Sequence, residues 1–278
     1  MRLSTFACIL LGVAIVSPLL AATPAPPVRP YLALGDSVSF GFITQAGFEY
    51  VNPDNFIGFP NYVGLASIFV TTNAACPGET TGSFLSSAAP DDGCRTFRSL
   101  VPLHVAYSST QTDFATSFLK AHPNTKLVTV GLGANDVFLL EKACLNDPAC
   151  IASGLPAVLA NVTDNLTTIL TDLRGTGFRG PIIVVNYYST DYADANETGI
   201  IELLNEALAN AAATEGVPVA DVFTAFQTVA SAAGGHTCNA GLLNASPQNE
   251  FVCDVHPSQS GQRLIAAAVE RTFTSTRQ

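Results

Sequence analysis

Four short stretches place reactive or hydrogen-bonding side chains directly after or before apolar runs. They are YLALGDSVSFG at 31–41, CPGETTG at 76–82, VTVGLGANDVF at 128–138 and CDVHPSQSGQRLIAAAV at 253–269. Acyl transfer needs a nucleophile, a base within hydrogen-bond reach, and donors aimed at a developing oxyanion. Ser37 is the candidate nucleophile, although Gly-Asp-Ser also makes ordinary turns. The chain has four histidines. His104 and His236 stand in loop-like segments, and His122 precedes Pro123 in a charged surface stretch. His256 precedes Pro257, which confines its backbone to extended geometry, just ahead of an apolar helical pattern. It is the candidate base. Gly78 allows close backbone approach to a reacting centre because it lacks a side chain. Asn135 offers a side-chain amide of the kind that stabilises a tetrahedral intermediate. Each has a plainer structural alternative: a turn at Gly78, and a capped strand-to-helix connection at Gly133–Asp136.

These residues need a scaffold, and the apolar pattern supplies one. YLAL (31–34), KLVTVGL (126–132), PIIVVNY (181–187) and VPVADV (217–222) are predicted as buried strands, with SIFVTTN (67–73) as a fifth. Helical patterns lie between them, over 151–175 and 199–216. In the second, Ile201, Leu204, Leu208 and Ala212 recur at helical spacing, and Gly216 and Pro218 stop the run. A last helix is predicted after Ser258. Buried strands alternating with helices imply a parallel sheet covered on both faces, whose sites form at the carboxyl ends of the strands. Ser37 follows the first strand directly. The segment from about 40 to 115 reads as an elaborated loop region. No internal repeat or interdomain linker is visible, so residues 31–278 are read as one domain.

Arg2, the uncharged apolar run from Phe6 to Leu20 and the small residues Ala21 and Ala22 form a secretory signal pattern over 1–22. TPAPPVRP, 23–30, is a proline-rich lead-in. The whole chain carries 12 basic and 22 acidic side chains. Removing 1–22 takes Arg2 alone, so 11 basic side chains face 22 acidic ones, and the net charge is about −11. Such a surface repels phosphate backbones, which argues against nucleic-acid binding. With 48% hydrophobic and 12% charged residues, the composition is that of a packed core rather than a disordered chain.

Six cysteines remain after the leader: Cys76, Cys94, Cys144, Cys150, Cys238 and Cys253. Six cysteines admit 15 connectivities, and local closure favours 76–94, 144–150 and 238–253, each stabilising by ~2–4 kcal/mol. A zinc site would need C-x-x-C or a nearby histidine at ligand spacing, and neither is present.

Taken together, ALGDSVSFG, CPGETT, VGLGANDVF and CDVHPSQSGQRLIA resemble the four blocks of the SGNH hydrolases, the GDSL esterase/lipase family, in the family's order. The resemblance implies a flavodoxin-like three-layer α/β/α sandwich around a parallel sheet of about five strands, and is nearest to secreted members with three disulfides. It also implies Ser37 as nucleophile and His256 as base. The Ser37 and Gly78 amides and the Asn135 side chain would form the oxyanion hole. Two positions depart from the pattern. Val38 replaces a Leu, and Cys253 stands where the family's D-x-x-H motif has its Asp. The partner of His256 is therefore either Asp254, two residues before it, or a backbone carbonyl. Asp36 and Asp136 are read as turn and cap residues, and no metal or cofactor is called for. The expected activity is hydrolysis of small-molecule or lipid esters, with short- to medium-chain lipid esters as first choice. A carbohydrate acetyl esterase is the alternative within the class, and a non-catalytic binding module the alternative outside it. Sequons at Asn161, Asn165, Asn196 and Asn244 would matter only in a eukaryotic secretory pathway.

Overall fold

The computed structural model describes residues 28–276 apart from 45, 247, 250 and 251; the expected leader and the lead-in as far as residue 27 lie outside the described residues. In chain order the elements are β1 (Pro30–Gly35), α1 (Ser37–Phe40), two 3₁₀ turns (Phe48–Val51 and Pro53–Asn55), α2 (Phe59–Ser67), β2 (Val70–Asn73), α3 (Thr81–Leu85), α4 (Cys94–Leu100), α5 (Gln111–Ala121) and β3 (Leu127–Gly131). There follow α6 (Ala134–Ala143), α7 (Pro148–Gly175), β4 (Ile182–Val185), α8 (Ala195–Thr214), β5 (Val219–Ala220), α9 (Val222–Ser231), β6 (Leu243–Ala245), β7 (Cys253–Pro257) and α10 (Gln259–Ser275).

All five expected strands form, as one parallel sheet in the order β2-β1-β3-β4-β5. Alternation along the strands divides the core. Leu32, Leu34, Val128, Val130, Ile182 and Val184 face Ala115 and Leu119 of α5, Leu166 and Ile169 of α7, and Leu204 and Leu208 of α8. Tyr31, Ala33, Leu127, Ile183 and Val185 face α2, α9 and α10 through Phe59, Val63, Phe226, Ile265 and Val269. The result is a three-layer α/β/α sandwich with flavodoxin-like strand order. Truncating one of these fully buried leucines to alanine costs about 2–5 kcal/mol. Among the described residues no helix is long and apolar enough to cross a membrane.

Strand order reverses at β1, so the carboxyl ends of β1 and β3 open a crevice. There Gly35 lies opposite Gly131. Gly35 has φ +145°, and a Cβ on it would sit 2.4 Å from the Gly131 carbonyl oxygen. Only glycine lets the two strand ends approach this closely. Segment 40–115, where the sequence offers only the β2 strand within a loop region, also contains α2, α3, α4 and the start of α5. Its short helices gave too little periodicity to be seen. Here α2 packs on one face of the sheet through Phe59 and Val63 and α3 on the other through Phe84, while α4 joins a small separate core of Phe40, Phe56, Cys76, Cys94 and Leu103. The three expected disulfides are all present: Cys76–Cys94, Cys144–Cys150 and Cys238–Cys253.

Candidate active site

Ser37 opens α1, where the first N–H groups have no helical partner. Asp36 is the helix cap: its Oδ1 accepts from the Val38 N–H at 2.9 Å. That agrees with the turn role expected for it, but Asp36 does more. Its Oδ2 accepts from the Tyr187 hydroxyl at 2.5 Å and faces Asn135 Nδ2 at 3.4 Å. Burial raises the Asp36 carboxyl to about 6, against the lowering effect of the Tyr187 and Val38 hydrogen bonds and of His256.

Gln111, fully buried on α5, braces the preceding residue. Its Oε1 accepts from Gly35 N at 2.7 Å, and its Nε2 donates to Gly35 O at 3.0 Å and to Glu79 Oε2 at 3.1 Å. Burial lifts the Glu79 carboxyl to about 7, although hydrogen bonds from Ser83 and Gln111 oppose the rise. The Glu79 backbone oxygen accepts from Asn135 Nδ2 at 2.9 Å. A single buried network thus ties the turn that carries Ser37 to the loop that carries Gly78 and to Asn135 at the start of α6.

Gly78 adopts φ +83°, and an added Cβ would meet Asp92 O at 2.5 Å and Cys94 N at 2.9 Å. Its N–H has no acceptor among the described residues. Asn135 lies in the first turn of α6 and is 5% exposed. The helix is capped by Gly133 rather than by Asn135 or Asp136. Asp136, expected as a local cap, reaches instead to α3, accepting from Thr81 N at 3.0 Å and Thr81 Oγ1 at 2.6 Å. Burial raises its carboxyl.

His256 lies on β7, which pairs antiparallel with β6. The hairpin was not foreseen, yet it explains the unusual Asp-to-His spacing. Along an extended strand residues i and i+2 share a face, so Asp254 and His256 meet where a D-x-x-H spacing would not serve. Asp254 Oδ1 lies 2.6 Å from His256 Nδ1 and also accepts from the His256 N–H at 2.6 Å. The Thr44 hydroxyl donates to Asp254 Oδ2. Burial alone would raise the Asp254 carboxyl, but the hydrogen bonds and charge of His256, with Thr44, outweigh it and hold it below its ordinary value. With Nδ1 engaged, Nε2 is the nitrogen left for proton transfer. Phe42 packs on the imidazole at 4.8 Å between ring centroids, the 238–253 disulfide holds the hairpin, and Tyr188 donates to Val255 O at 2.6 Å.

Two cavities meet at these residues. One, of about 530 Å³, is lined by Ser37, Gly78, Asn135 and His256 together, with Phe42, Phe97 and Lys142. The other, of about 420 Å³, shares Ser37, Asn135 and His256, and its walls are mainly apolar, including Val137, Phe138, Ile200, Ile201 and Leu204. The remaining histidines are elsewhere: His104 on Phe40 O, His122 on Phe118 O and His236 on Asp191. Cys76, Glu79 and Cys94 cluster at ligand-like distances, but both sulfurs are spent in a disulfide, so no thiolate is available to a metal.

Sequence reasoning passed over Thr44, Glu79, Gln111, Tyr187 and Tyr188. Glu79 lies inside one of the four blocks; the others meet the site only through long-range contacts and carry no local signal.

No curated protein matches the chain. Solved structures share its fold. A phospholipase A1 from Streptomyces albidoflavus NA297 aligns with a TM-score of 0.60 at 18% identity, covering 88% of this chain and 100% of that one. An extracellular lipase from Streptomyces rimosus gives 0.58 at 18% identity, over 88% and 100%. A variant of an acetyl-xylooligosaccharide esterase from Geobacillus gives 0.52 at 16% identity, over 88% and 94%. The model of the GDSL-like lipase/acylhydrolase family matches residues 33–264, and the chain belongs to that family.

Proposed function

We propose that this chain is an exported serine esterase that cleaves carboxylic esters through an acyl-enzyme, with short- to medium-chain lipid esters as its substrates. One observation carries the reading: Ser37, Gly78, Asn135 and His256, drawn from four separate regions, line one cavity, while Asp254 engages the far nitrogen of His256. In this mechanism His256 Nε2 takes the Ser37 proton as Oγ attacks the ester carbonyl. The Asp254 carboxylate stabilises the imidazolium. The Ser37 and Gly78 N–H groups hold the oxyanion together with one Nδ2–H of Asn135. That hydrogen is the one not given to Glu79 O, and it turns to the oxyanion from its long contact with Asp36 Oδ2. Losing one such donor costs roughly 10²–10³ in rate. Collapse of the intermediate breaks the ester C–O bond, and His256 returns its proton to the leaving alcohol. Water, deprotonated by the same imidazole, then releases the acid and restores Ser37.

The acyl chain fits best in the 420 Å³ cavity, whose apolar walls begin beside Ser37. That volume lies at the small end of ordinary ligand pockets, which favours short and medium chains. Export is supported by three disulfides, which persist in oxidising compartments, and by the signal pattern of residues 1–22. A panel of p-nitrophenyl esters from acetate to palmitate tests the reading. Turnover is expected to peak between butyrate and octanoate, and absence of turnover at every length contradicts it.

A further inference from the structure

Glu141 projects from α6 into the junction of the two cavities and lines both, alongside Ser37, Asn135 and His256. The other charged groups on those walls are committed. Lys142 Nζ pairs with Asp92 at 2.5 Å, and His256 with Asp254. Asp36 holds Tyr187 and the Val38 N–H. Glu197 Oε1 receives Ser189 Oγ, Thr190 N, Thr190 Oγ1 and Asp191 N, so it serves to fold the loop before α8. The Glu141 carboxylate alone among these described lining residues has neither an ion-pair nor a hydrogen-bond partner. Partial burial and the negative charge of Glu197 push its carboxyl up. A positive group arriving beside it would relieve both penalties, and a negative one would add to them.

We infer that Glu141 sorts substrates by charge, so that this site prefers esters carrying an ammonium group near the scissile bond and rejects those carrying an anion. Among the described residues no unpaired lysine or arginine lines either cavity to receive an anionic substituent, since Lys142 is paired with Asp92. The rings of Phe138, Tyr187 and Tyr188 lie in the same cavity as the carboxylate. Aromatic faces attract a weakly hydrated ammonium at short range. The inference rests on the ester-hydrolase reading of the site, and it adds the charge of the substrate.

The test uses butyrate esters of choline, of its uncharged carbon isostere and of isethionate, three alcohols of similar size that differ in charge. Wild-type kcat/KM is expected to fall roughly tenfold at each step from cation to neutral to anion, the size of one partly screened unit charge. Glu141→Gln should bring the cationic and neutral esters within about twofold, and Glu141→Lys should invert the order. Unchanged ratios in both variants overturn the inference, as does a wild type indifferent to charge. Calorimetric binding of choline and its isostere, without turnover, separates the two claims. A charge preference in binding that Glu141→Gln removes, with no ester hydrolysed, refutes the esterase reading and leaves charge sorting standing. Hydrolysis without any charge preference does the reverse.

Discussion

Asp254→Asn isolates what the carboxylate does for His256. An asparagine in the same position can still accept from the His256 N–H and Nδ1–H through Oδ1, and its amide can donate to the Thr44 hydroxyl that now donates to Oδ2. The geometry therefore survives and the charge is lost. Two unit charges about 4 Å apart attract by about 4 kcal/mol at an effective dielectric constant of 20. The two side chains are 10% and 16% exposed, so solvent screens them only in part. Taking roughly 2–4 kcal/mol for the imidazolium in the transition state, kcat should drop by about 30- to 1000-fold. Asp254 lines neither cavity, so KM should stay within about threefold. Asp254→Ala should lose at least as much, because only Thr44 Oγ1, 3.4 Å from Nδ1, remains as a substitute acceptor. Steady-state kinetics on p-nitrophenyl butyrate read all three. A kcat within about threefold of wild type for both variants would show that the imidazole is oriented and charged without Asp254.

Gly78→Ala should cost about 1–2 kcal/mol for the left-handed backbone alone, with a further cost for the collision with Asp92 and Cys94. Moving this N–H is expected to lower kcat by about 10²–10³ and Tm by roughly 2–4 °C per kcal/mol lost; an unaltered kcat would contradict its place in the oxyanion hole. Asp36 titrates at about 6 in the folded chain, above its unfolded value of about 3.9. Its contribution to stability is therefore full below about pH 4 and is lost as pH rises through 6. Asp36→Asn should thus gain on wild type by up to roughly 2–3 kcal/mol between pH 4 and pH 7 in urea unfolding, and a difference that is flat across that range would refute the assignment. Ile200→Trp narrows the 420 Å³ cavity, so the preferred acyl chain should shorten; an unmoved chain-length profile would place the acyl group elsewhere.

The sheet was legible because its strands are buried on both faces and read as continuous apolar runs, as in PIIVVNY. The three disulfides were legible because each closes a short loop of chain. The helices between 40 and 115 were not, since α3 and α4 are too short to show periodicity: α3 is fixed by Phe84 in the main core, and α4 by the Cys76–Cys94 disulfide and a local core. The pairing of Asp254 with His256 could not be decided from sequence for a specific reason. Spacing selects a shared face only once the backbone is known, and the strand that supplies it depends on β6, a partner ten residues earlier in the chain. Gln111 and Tyr187 were silent for the same reason, lying 76 and 151 residues from the groups they hold.

Covalent labelling with a fluorophosphonate tests the nucleophile most directly. Wild-type protein should acquire one adduct, mapped by mass spectrometry to the peptide containing Ser37, with loss of p-nitrophenyl butyrate hydrolysis in proportion to labelling. Ser37→Ala should acquire none and hydrolyse no ester. An adduct on another residue, or full hydrolysis by Ser37→Ala, would contradict the assignment of Ser37.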